Sequence, residues 1–557
     1  MSWREKLSPF QQWFARRGWS PLVTAAYVGM VALFLVTVAQ FYIPGKGFSY
    51  LIAFGGNQET ERISKVRKLD YYVQRASGGY DAQYYVQIAM DPSLQNQALR
   101  RAIDSLAYRS RRILFPAIAF VLGGGEPGAI LQAYALLNAY CWLVLAVLLL
   151  YWFPPRDWDC FLRWIGVLAS LGICLSLRNA LIDGPSLLVI AIALYLLEKG
   201  WTKWSTVILG LAGLGKETNL LSAASLLPSF KAGRQAWIPA IVRGVLVALP
   251  LALWLRYLAM RLGPAMDPGS RNFDFPFVAF LHKWQQVLVD LPDAGWPNFG
   301  PFCAMLMLVS LTVQFGFLVL RPNWDKAWWR VGCSFAVLMV FLGEAVWEGY
   351  PGAAARVLLP MQLAFNILVP VGRGWRLVLL AGNLSLLASP FELQPPAIDG
   401  YVLGGNSSLF SVAGGKSVNL QFGKGWYGTE GSRSFFWSWA RSDATQQIRN
   451  PHPFVLRTRL RFSMFTAGHR SVHLKINGEE VWAATFGENQ LLIANLSAIY
   501  LQPGENRVEW TTDAPPVKTG SDPRELAFVI QNLHLDVLRE KVSDTSPLGN
   551  AEESRSR

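Results

Sequence analysis

Charged residues are scarce in this chain of 557 residues. Asp, Glu, Lys and Arg make up 16% of it, whereas a typical soluble domain carries about 25%. Hydrophobic residues reach 52%, which excludes a disordered chain, because disorder needs low hydrophobicity and high charge. So few charges also argue against an ordinary cytosolic enzyme and indicate a chain that places most of its length in apolar surroundings.

Histidine and cysteine are also rare, with five residues of each. His282 is the only histidine before residue 452, and the cysteines, which all lie before residue 334, lack the spacing of metal ligands. We therefore expect no histidine- or cysteine-based metal site and no cofactor, and a carboxylate-bound cation is the alternative that the sequence leaves open. The sequence also lacks a GxxxxGK[ST] phosphate-binding loop, which disfavours ATP-driven transport.

The net charge of +14 lies almost entirely in the apolar part of the chain. Residues 1–400 hold 34 Lys and Arg against 22 Asp and Glu, whereas residues 401–557 hold 17 against 15. The excess forms short clusters between hydrophobic runs. This pattern is typical of the cytoplasmic loops of a membrane protein and not of a nucleic-acid-binding face. We expect membrane lipids, and no nucleic acid, as partners.

Hydrophobic runs recur through residues 1–392 and predict an α-helical polytopic membrane domain with about 11 spans, since about 20 apolar residues cross the hydrocarbon core. The segment 204–230 carries Lys216 and Glu217 at its centre, where each charge would cost roughly 2.5–3.5 kcal/mol inside a bilayer. We therefore predict a hairpin that turns at these residues. The predicted spans are 22–43, 128–153, 160–177, 184–198, the two arms of 204–230, 236–261, 299–320, 331–347, 352–371 and 375–390.

With this hairpin, every short basic connection falls on the same side as the N-terminus, as the positive-inside rule requires. The N-terminus is then cytoplasmic and the C-terminal part periplasmic, in a bacterial inner membrane. Residues 44–112 and 263–298 form periplasmic loops, and the short apolar run 113–123 lies half-embedded at the outer face. The basic residues on the predicted inner side are Arg4, Lys6, Arg16, Arg17, Arg156, Arg163, Lys199, Lys203, Lys231, Arg234, Arg321, Lys326, Arg330, Arg373 and Arg376.

The pattern changes to alternating polar and apolar residues in the C-terminal part. Short strand-like segments follow one another there, and Asn477-Gly478 is a strong signal for a hairpin turn. We predict a β-sandwich of the jelly-roll kind over residues 393–541, followed by a flexible polar tail over 542–557.

The loop 44–112 contains the residues best suited to chemistry. The stretch GYDAQYY at 79–85 places Asp81 among aromatic side chains, and YRSRR at 108–112 follows with three arginines. A carboxylate can take a proton from an attacking hydroxyl, and guanidinium groups match the oxygens of a phosphate. The alternative is a solvated loop with incidental charges at a membrane surface.

The stretches GGYDAQYYVQIAMDP (78–92) and YRSRRILFP (108–116) resemble the first periplasmic loop of bacterial GT-C superfamily glycosyltransferases. Similar short motifs are RNALIDGP (178–185), GLAGLGKET (210–218) and ARVLLP (355–360), so that the resemblance covers the membrane part. It implies a multi-spanning enzyme that uses a polyprenyl-phosphate-linked sugar donor, with Asp81 as the catalytic base.

Two further sets of residues complete the predicted site. The cations expected to hold the donor phosphate are Arg109, Arg111, Arg112, Lys216 and Arg356. The side chains expected to contact substrate are Tyr80, Gln83, Tyr84, Asp183, Glu217, Glu344 and Glu348. Structural alternatives are an ion pair of Lys216 with Glu217, a salt bridge of Asp183 with Arg178, an Arg356 that reaches lipid head groups, and solvated Glu344 and Glu348.

The C-terminal part resembles the tails of some bacterial membrane glycosyltransferases, and its predicted place outside is similar to that of the carbohydrate-binding sandwiches of mycobacterial arabinosyltransferases. Trp426 and Tyr427 in GWYGTE (425–430) could stack on a sugar or could fill the core of the sandwich. The sequence therefore favours an inverting hexosyl- or pentosyltransferase that acts on a glycan, lipid or protein acceptor. A transporter or flippase, or a non-catalytic glycan-binding assembly protein, is the alternative.

Overall fold

The computed structural model describes residues 18–43, 46–55, 58, 61–74, 78–230, 232–263, 270–294, 299–349, 352–393, 418–431, 436–450, 454–487, 490–518, 522 and 524–541. The chain divides into two compact units, Met1–Gln394 and Pro395–Arg557. Each unit has a hydrophobic core of its own. The basic residues Arg4, Lys6, Arg16, Arg17 and Lys231 and the tail 542–557 lie outside the described residues.

The first unit is helical, as its long apolar runs predict. Its two short strands, β1 (Phe54–Gly55) and β2 (Val73–Gln74), pair in parallel within the loop region. Short 3-10 helices cover Ser49–Ile52, Glu217–Leu226, Arg234–Ala236, Ser270–Asn272, Leu291–Asp293 and Leu384–Ala388. The α-helices are Pro21–Ala39, Ser64–Arg67, Ala82–Ala89, Leu99–Ala102, Leu106–Arg109, Leu114–Leu122, Pro127–Leu149, Trp158–Leu168, Leu171–Arg178, Asp183–Glu198, Thr202–Gly215, Trp237–Leu262, Val278–Asp290, Gly300–Leu320, Ala327–Phe341, Glu344–Trp347, Ala354–Val357, Leu359–Leu368, Arg373–Ala381 and Ser389–Glu392.

The described residues contain five helical segments that are long and apolar enough to cross a membrane. They are Pro21–Ala39, Pro127–Leu149, Trp158–Arg178, Trp237–Leu262 and Gly300–Leu320. Two shorter apolar helices cover Ala327–Phe341 and Leu359–Leu368. The predicted number of about 11 spans is therefore not confirmed.

The difference arises because several predicted spans are broken into shorter pieces. The run 331–347 is an example: the helix ends at Phe341, and the N–H of Gly343 donates to the carbonyl of Asn272 at 2.7 Å. A Cβ on Gly343 would lie 2.5 Å from the carbonyl oxygen of Arg271, so this close approach needs a glycine. A hydropathy pattern reports the length and composition of an apolar run. It does not predict a backbone contact that ends a helix within the run.

The segment 204–230 is broken where its charges lie. The helix Thr202–Gly215 ends, Lys216 takes an extended conformation with φ −162°, and the 3-10 helix Glu217–Leu226 follows. A Cβ on Gly213 would lie 2.8 Å from the Leu220 side chain, so this glycine lets the second arm fold closely onto the first. The predicted turn at Lys216 is present.

Several of the segments that join the predicted spans on the cytoplasmic side contact one another. The indole of Trp152 donates to Glu198 at 2.9 Å and meets the ring of Trp328 edge-on, with centroids 5.5 Å apart. Nε of Arg376 lies 3.1 Å from Asp159. Glu198 ends a helix of 16 residues, which is about 24 Å long. The connections that carry Trp152 and Trp328 therefore lie far from the first residue of that helix.

The second unit consists of short strands joined by turns. Asn477 and Gly478 both have positive φ angles, 52° and 88°, as a type I′ hairpin turn requires. The strands are β3 (Asn419–Phe422), β4 (Glu430–Gly431), β5 (Phe436–Ala440), β6 (Ala444–Asn450), β7 (Leu456–Thr466), β8 (Arg470–Ile476), β9 (Glu479–Phe486), β10 (Leu492–Leu501), β11 (Gly504–Thr512), β12 (Val517–Lys518), β13 (Glu525–Leu526) and β14 (Phe528–Lys541).

Two antiparallel sheets of five strands make up the sandwich. Their orders are β10-β7-β14-β5-β4 and β3-β6-β11-β8-β9. The short edge strands β3 and β4 are left out of the comparison, and the other eight strands are renumbered in chain order, with β5 as strand 1, β11 as strand 7 and β14 as strand 8. The sheet orders then read 6-3-8-1 and 2-7-4-5. This is the strand order of a jelly roll, as the sequence pattern predicts.

Aromatic side chains from both sheets fill the core of the sandwich. Phe462 of β7 meets Trp510 of β11 edge-on, with ring centroids 5.2 Å apart, and Phe528 of β14 lies 6.2 Å from the same indole. All three side chains are buried. Since β7 and β14 belong to one sheet and β11 to the other, these contacts join the two layers.

Candidate active site in the helical unit

A cavity of about 840 Å³ is lined by residues from seven separate segments of the helical unit. It brings together residues as far apart in sequence as Tyr80 and Arg356, whose side chains form a hydrogen bond of 3.1 Å. The predicted site residues that line the cavity are Tyr80, Asp81, Arg109, Arg111, Arg112, Asp183, Lys216, Glu217, Glu348 and Arg356.

Asp81 immediately precedes the helix Ala82–Ala89, but its side chain does not cap that helix. Instead, Oδ2 lies 2.9 Å from Nη1 of Arg109. Asp104 holds the same guanidinium through hydrogen bonds of 2.9 and 3.1 Å. The Asp81 side chain is 35% exposed, and Oδ1 has no partner among the described residues. Asp81 therefore presents a carboxylate oxygen to the cavity.

The electrostatic surroundings of Asp81 keep the neighbouring groups in defined protonation states. Burial lowers the pKa of Arg109, but the hydrogen bond to Asp104 and the charge of Asp81 outweigh it, so the pKa is raised overall. Burial raises the pKa of Tyr85. At neutral pH, Arg109 is thus a cation and Tyr85 a neutral hydroxyl.

Buried amides fix the loop that carries Asp81. The Gln83 side chain, 1% exposed, accepts from the N–H of Gly55 at 3.1 Å and donates to the carbonyl of Gly78 at 2.8 Å. Gly79 has φ +74°, and a Cβ there would lie 2.5 Å from the Gly55 nitrogen. The prediction that Gln83 contacts substrate is not supported, because both ends of its amide hold the backbone of the loop.

Tyr84 supports the arginine and does not line the cavity, contrary to its predicted contact with substrate. Its hydroxyl donates to Gln58 at 3.1 Å, and the guanidinium of Arg109 lies over its ring, 5.1 Å from the centroid. The side chain is buried. Tyr84 therefore holds Arg109 in place beside Asp81.

Arg112 makes a second anchored cation. Its Nε lies 3.1 Å from Glu217, and its two terminal nitrogens donate to the hydroxyls of Tyr85 at 2.8 Å and Tyr108 at 3.0 Å. These bonds tie the loop 78–112 to the turn after the helix Thr202–Gly215. Glu217 is thus the partner of Arg112, and not of its neighbour Lys216.

Asp183 joins the other two cations of the cavity. Oδ1 lies 2.5 Å from Nζ of Lys216, and Oδ2 lies 3.0 Å from Nη1 of Arg356. Its side chain is only 4% exposed. The expected salt bridge of Asp183 with Arg178 is therefore wrong. The Arg178 guanidinium donates to the hydroxyl of Tyr50 and lies over the ring of that tyrosine.

Arg111 differs from the other cations of the cavity. Among the described residues it has no carboxylate partner, and its guanidinium lies over the ring of Tyr108, 5.4 Å from the centroid. The described residues of the cavity include five cations and five carboxylates. Since the remaining four cations are paired with carboxylates, Arg111 is the one whose charge is best placed to bind an anion.

The two glutamates predicted to contact substrate have different positions. Glu348 lines the cavity. Glu344 does not, because its exposed side chain points toward His282, with Oε1 3.3 Å from Nδ1. The prediction for Glu344 is therefore not supported, and its solvated alternative fits the contacts.

Sequence reasoning did not identify several polar residues that line the cavity. Tyr85 and Tyr108 lie within the two predicted motifs and hold Arg112, so an arginine beside two tyrosines was an available signal. Asn179, Asn272 and Glu392 come from distant segments, and no local pattern marks them. The described residues contain no group of three His, Cys, Asp or Glu side chains that could hold a metal ion.

The tail aromatics contact the sandwich itself. Trp426 meets Trp510 and Phe528 edge-on, with centroids 6.3 and 5.6 Å away. The hydroxyl of Tyr427 donates to the carbonyl of Glu525 at 3.0 Å. These contacts fit the alternative in which both residues serve the packing of the sandwich.

The fold is thus a helical unit with several apolar helices and a charged cavity, followed by a strand-rich unit. No protein-family model matches the chain, and no curated protein matches it in sequence. Among solved structures, it is similar to the arabinosyltransferase EmbB from Mycobacterium smegmatis, with 10% identity and a TM-score of 0.34 over 96% of this chain and 66% of that one. The chain thus spans about two thirds of that protein.

Proposed function

We propose that the protein is a membrane glycosyltransferase that moves a sugar from a polyprenyl-phosphate donor to a hydroxyl of a glycan, lipid or protein acceptor. One observation carries this proposal. A partly exposed carboxylate, Asp81, shares a cavity with Arg111, Lys216 and Arg356 in a unit built from apolar helices. A base beside an anion site is what transfer from a phosphate-linked sugar requires.

Asp81 acts as the general base in this reaction. Its free oxygen, Oδ1, takes the proton of the acceptor hydroxyl while the hydroxyl oxygen attacks the anomeric carbon. The bond from that carbon to the phosphate oxygen breaks, and the lipid phosphate leaves with the electron pair. Attack from the face opposite the leaving group inverts the anomeric configuration. The leaving group is already an anion and needs cations rather than a proton donor.

The donor phosphate binds between Arg111 and the Asp183 cluster, which consists of Asp183, Lys216 and Arg356. Before donor binds, the carboxylate of Asp183 holds both cations of the cluster at distances of 2.5 and 3.0 Å. Both cations are therefore positioned in advance, so their placement adds no entropic cost when the phosphate arrives. Asp183 is accordingly a positioning residue and not a catalytic one.

The cavity lies on the periplasmic side of a bacterial inner membrane in this proposal, with the N-terminus cytoplasmic and the jelly roll periplasmic. The support is the one-sided placement of the basic connections. Asp183 begins a helix that ends near the Trp152 and Trp328 contacts at Glu198. The cavity and the connections that carry Trp152, Lys199 and Trp328 are therefore at opposite ends of that helix.

Reporter fusions test this orientation. Alkaline phosphatase fused within residues 395–417 should be active in cells, and a fluorescent protein that folds only in the cytoplasm should remain dark there. Fusions within 199–203 should show the reverse pattern. A fluorescent cytoplasmic reporter after residue 395 would contradict the proposed orientation.

Replacement of Arg111 by Gln should raise the donor KM about tenfold or more, because a hydrogen bond to a charged group contributes about 1.5–3 kcal/mol. The protein should fold normally, since Arg111 holds no carboxylate among the described residues. The matched control is Arg376→Gln, which removes an exposed arginine that does not line the cavity. An unchanged KM in the Arg111 variant would remove this residue from the phosphate site.

Purified protein in proteoliposomes tests the function itself. Incubation with polyprenyl-phosphate sugars and candidate acceptors should yield a glycosylated acceptor and free polyprenyl phosphate. A transporter or flippase would move the donor between leaflets and leave the sugar–phosphate bond intact. A non-catalytic assembly protein would bind glycan without either change. Both outcomes would overturn the proposed activity.

A further inference from the structure

A second, smaller pocket of about 530 Å³ lies outside the cavity described above. Three arginines line it: Arg100 and Arg101 from the short helix Leu99–Ala102, and Arg261 from the end of the helix Trp237–Leu262. Nη2 of Arg100 donates to the carbonyl of Arg261 at 3.3 Å. The pocket is thus formed where the loop meets the end of a long helix.

None of these arginines has a carboxylate partner among the described residues. The two nearby acids of the loop are used elsewhere. Asp91 accepts from the hydroxyl of Ser93 and from the N–H of Asn96, both at 2.6 Å, and Asp104 holds Arg109. In the large cavity, four of five cations are paired. The small pocket therefore concentrates positive charge that nothing in the described protein neutralises.

Hydrogen bonds hold the helix end against the loop. The indole of Trp254 donates to the carbonyl of Ser110 at 2.8 Å, and the hydroxyl of Tyr257 donates to the carbonyl of Ser93 at 2.7 Å. Both donors come from the last three turns of the helix. The three arginines are therefore carried by elements whose relative position is fixed.

The position of Arg261 along its helix places the pocket at a membrane surface. The helix Trp237–Leu262 has 26 residues and is about 39 Å long, whereas the hydrocarbon core is about 30 Å thick. Arg261 is its penultimate residue and therefore lies at the level of the lipid head groups. This argument holds for either orientation of the protein in the membrane.

The same helix presents an apolar stripe beside the pocket. Leu246, Leu249, Leu253 and Met260 are exposed, with accessible fractions of 49%, 44%, 59% and 72%. Their spacing of three, four and seven residues places them along one face of the helix. Arg261 directly follows Met260, about 100° further round the helix, so it lies at the edge of this face and beyond its end along the axis. An acyl chain along the stripe would reach its head group at the arginines.

We propose that this pocket binds the phosphate of an anionic phospholipid whose acyl chains lie along the stripe. The phosphate diester supplies the negative charge that the three arginines lack, and guanidinium groups bind phosphate oxygens bidentately. The site is separate from the donor cavity, and the proposal does not depend on the glycosyltransferase activity. It gives the protein a requirement for acidic lipid at this helix.

Native mass spectrometry of the full chain tests this proposal, with phosphatidylglycerol titrated into neutral detergent. The test variant is Arg100→Gln/Arg101→Gln/Arg261→Gln, and the control is Arg256→Gln, another exposed arginine of the same helix that does not line the pocket. The triple variant should bind phosphatidylglycerol roughly 100-fold more weakly, at about fivefold for each basic residue. The control should bind it as the unaltered protein does.

Three further results separate the possible ligands. Phosphatidylcholine, which has no net charge, should not be retained, and inorganic phosphate should not displace phosphatidylglycerol. Displacement by inorganic phosphate at low millimolar concentration would show a site for free phosphate. Preferential retention of polyprenyl phosphate would show a site for the carrier lipid. Either result, or an equal loss of binding in the Arg256 control, would overturn the proposal.

Discussion

Replacement of Asp81 by Asn is expected to slow sugar transfer at least about 100-fold, because removal of a general base typically costs about 10²–10⁴-fold in rate. The amide keeps the size of the side chain and can still contact Arg109. It cannot take the proton from the hydroxyl of the acceptor substrate. The variant should therefore insert and bind donor with a nearly unchanged KM. Initial rates with a defined donor, at matched protein concentration, measure the effect.

Asp91→Asn is the matched control, since Asp91 lies ten residues away in the same loop. Its carboxylate accepts bonds from Ser93 and Asn96 and does not line the cavity. We expect its rate to stay within a few-fold of the unaltered enzyme. Near-normal transfer by the Asp81 variant would remove Asp81 from the mechanism. A selective loss in the Asp91 variant would move the base to that position.

Replacement of Asp183 by Asn should destabilise the protein by about 3–5 kcal/mol, the typical cost of removing one partner from a buried ion pair. The carboxylate is 4% exposed and faces two cations, Lys216 and Arg356. Without it, two buried positive charges repel each other and lack a counterion. Thermal unfolding in detergent, followed by intrinsic tryptophan fluorescence, measures the loss.

Two comparison variants give this experiment its control. Asp159→Asn removes an ion pair with Arg376, whose side chain is 57% exposed; such a pair contributes about 0–1 kcal/mol. The double variant Asp183→Asn/Lys216→Met removes one of the excess charges and should recover part of the stability. An Asp183 variant that unfolds at the same temperature as the unaltered protein would show that the two cations do not depend on this carboxylate.

The part of the site that is local in sequence could be predicted. Asp81 and the arginines 109–112 lie within one loop, so their residue types and spacing were visible together. The turn at Lys216 also followed from the sequence, because two charges in a hydrophobic run are costly inside a bilayer. The jelly roll followed from alternating residues and one strong hairpin signal.

The pairing of the site residues could not be predicted. Asp183 meets Lys216 across 33 positions and Arg356 across 173, and only the packing of helices decides such partners. Proximity in sequence suggested Arg178 for Asp183, and Glu217 for Lys216, and both partners are different in the structure. Gln83 was misassigned for the same reason. Its sequence position beside Asp81 predicted a contact with substrate, but its burial depends on the packing of distant segments.

The number of spans is not confirmed, for a different reason. A hydropathy pattern treats 331–347, 352–371 and 375–390 as continuous runs, but a helix ends and another begins within each of them. Pieces of this length do not cross a bilayer as single helices. Their ends instead supply Glu348, Arg356 and Glu392 to the cavity. The departures from regular spans are thus what build the proposed site.

The most direct test of the central claim is the structure of the protein in a lipid nanodisc with a non-transferable polyprenyl-phosphate sugar analogue. The account predicts density for the phosphate in the 840 Å³ cavity, within hydrogen-bond distance of Arg111 and of the Lys216 and Arg356 pair. The sugar should place its anomeric carbon on the side of Asp81. Density for the phosphate at any other part of the helical unit, with this cavity empty, would contradict the account.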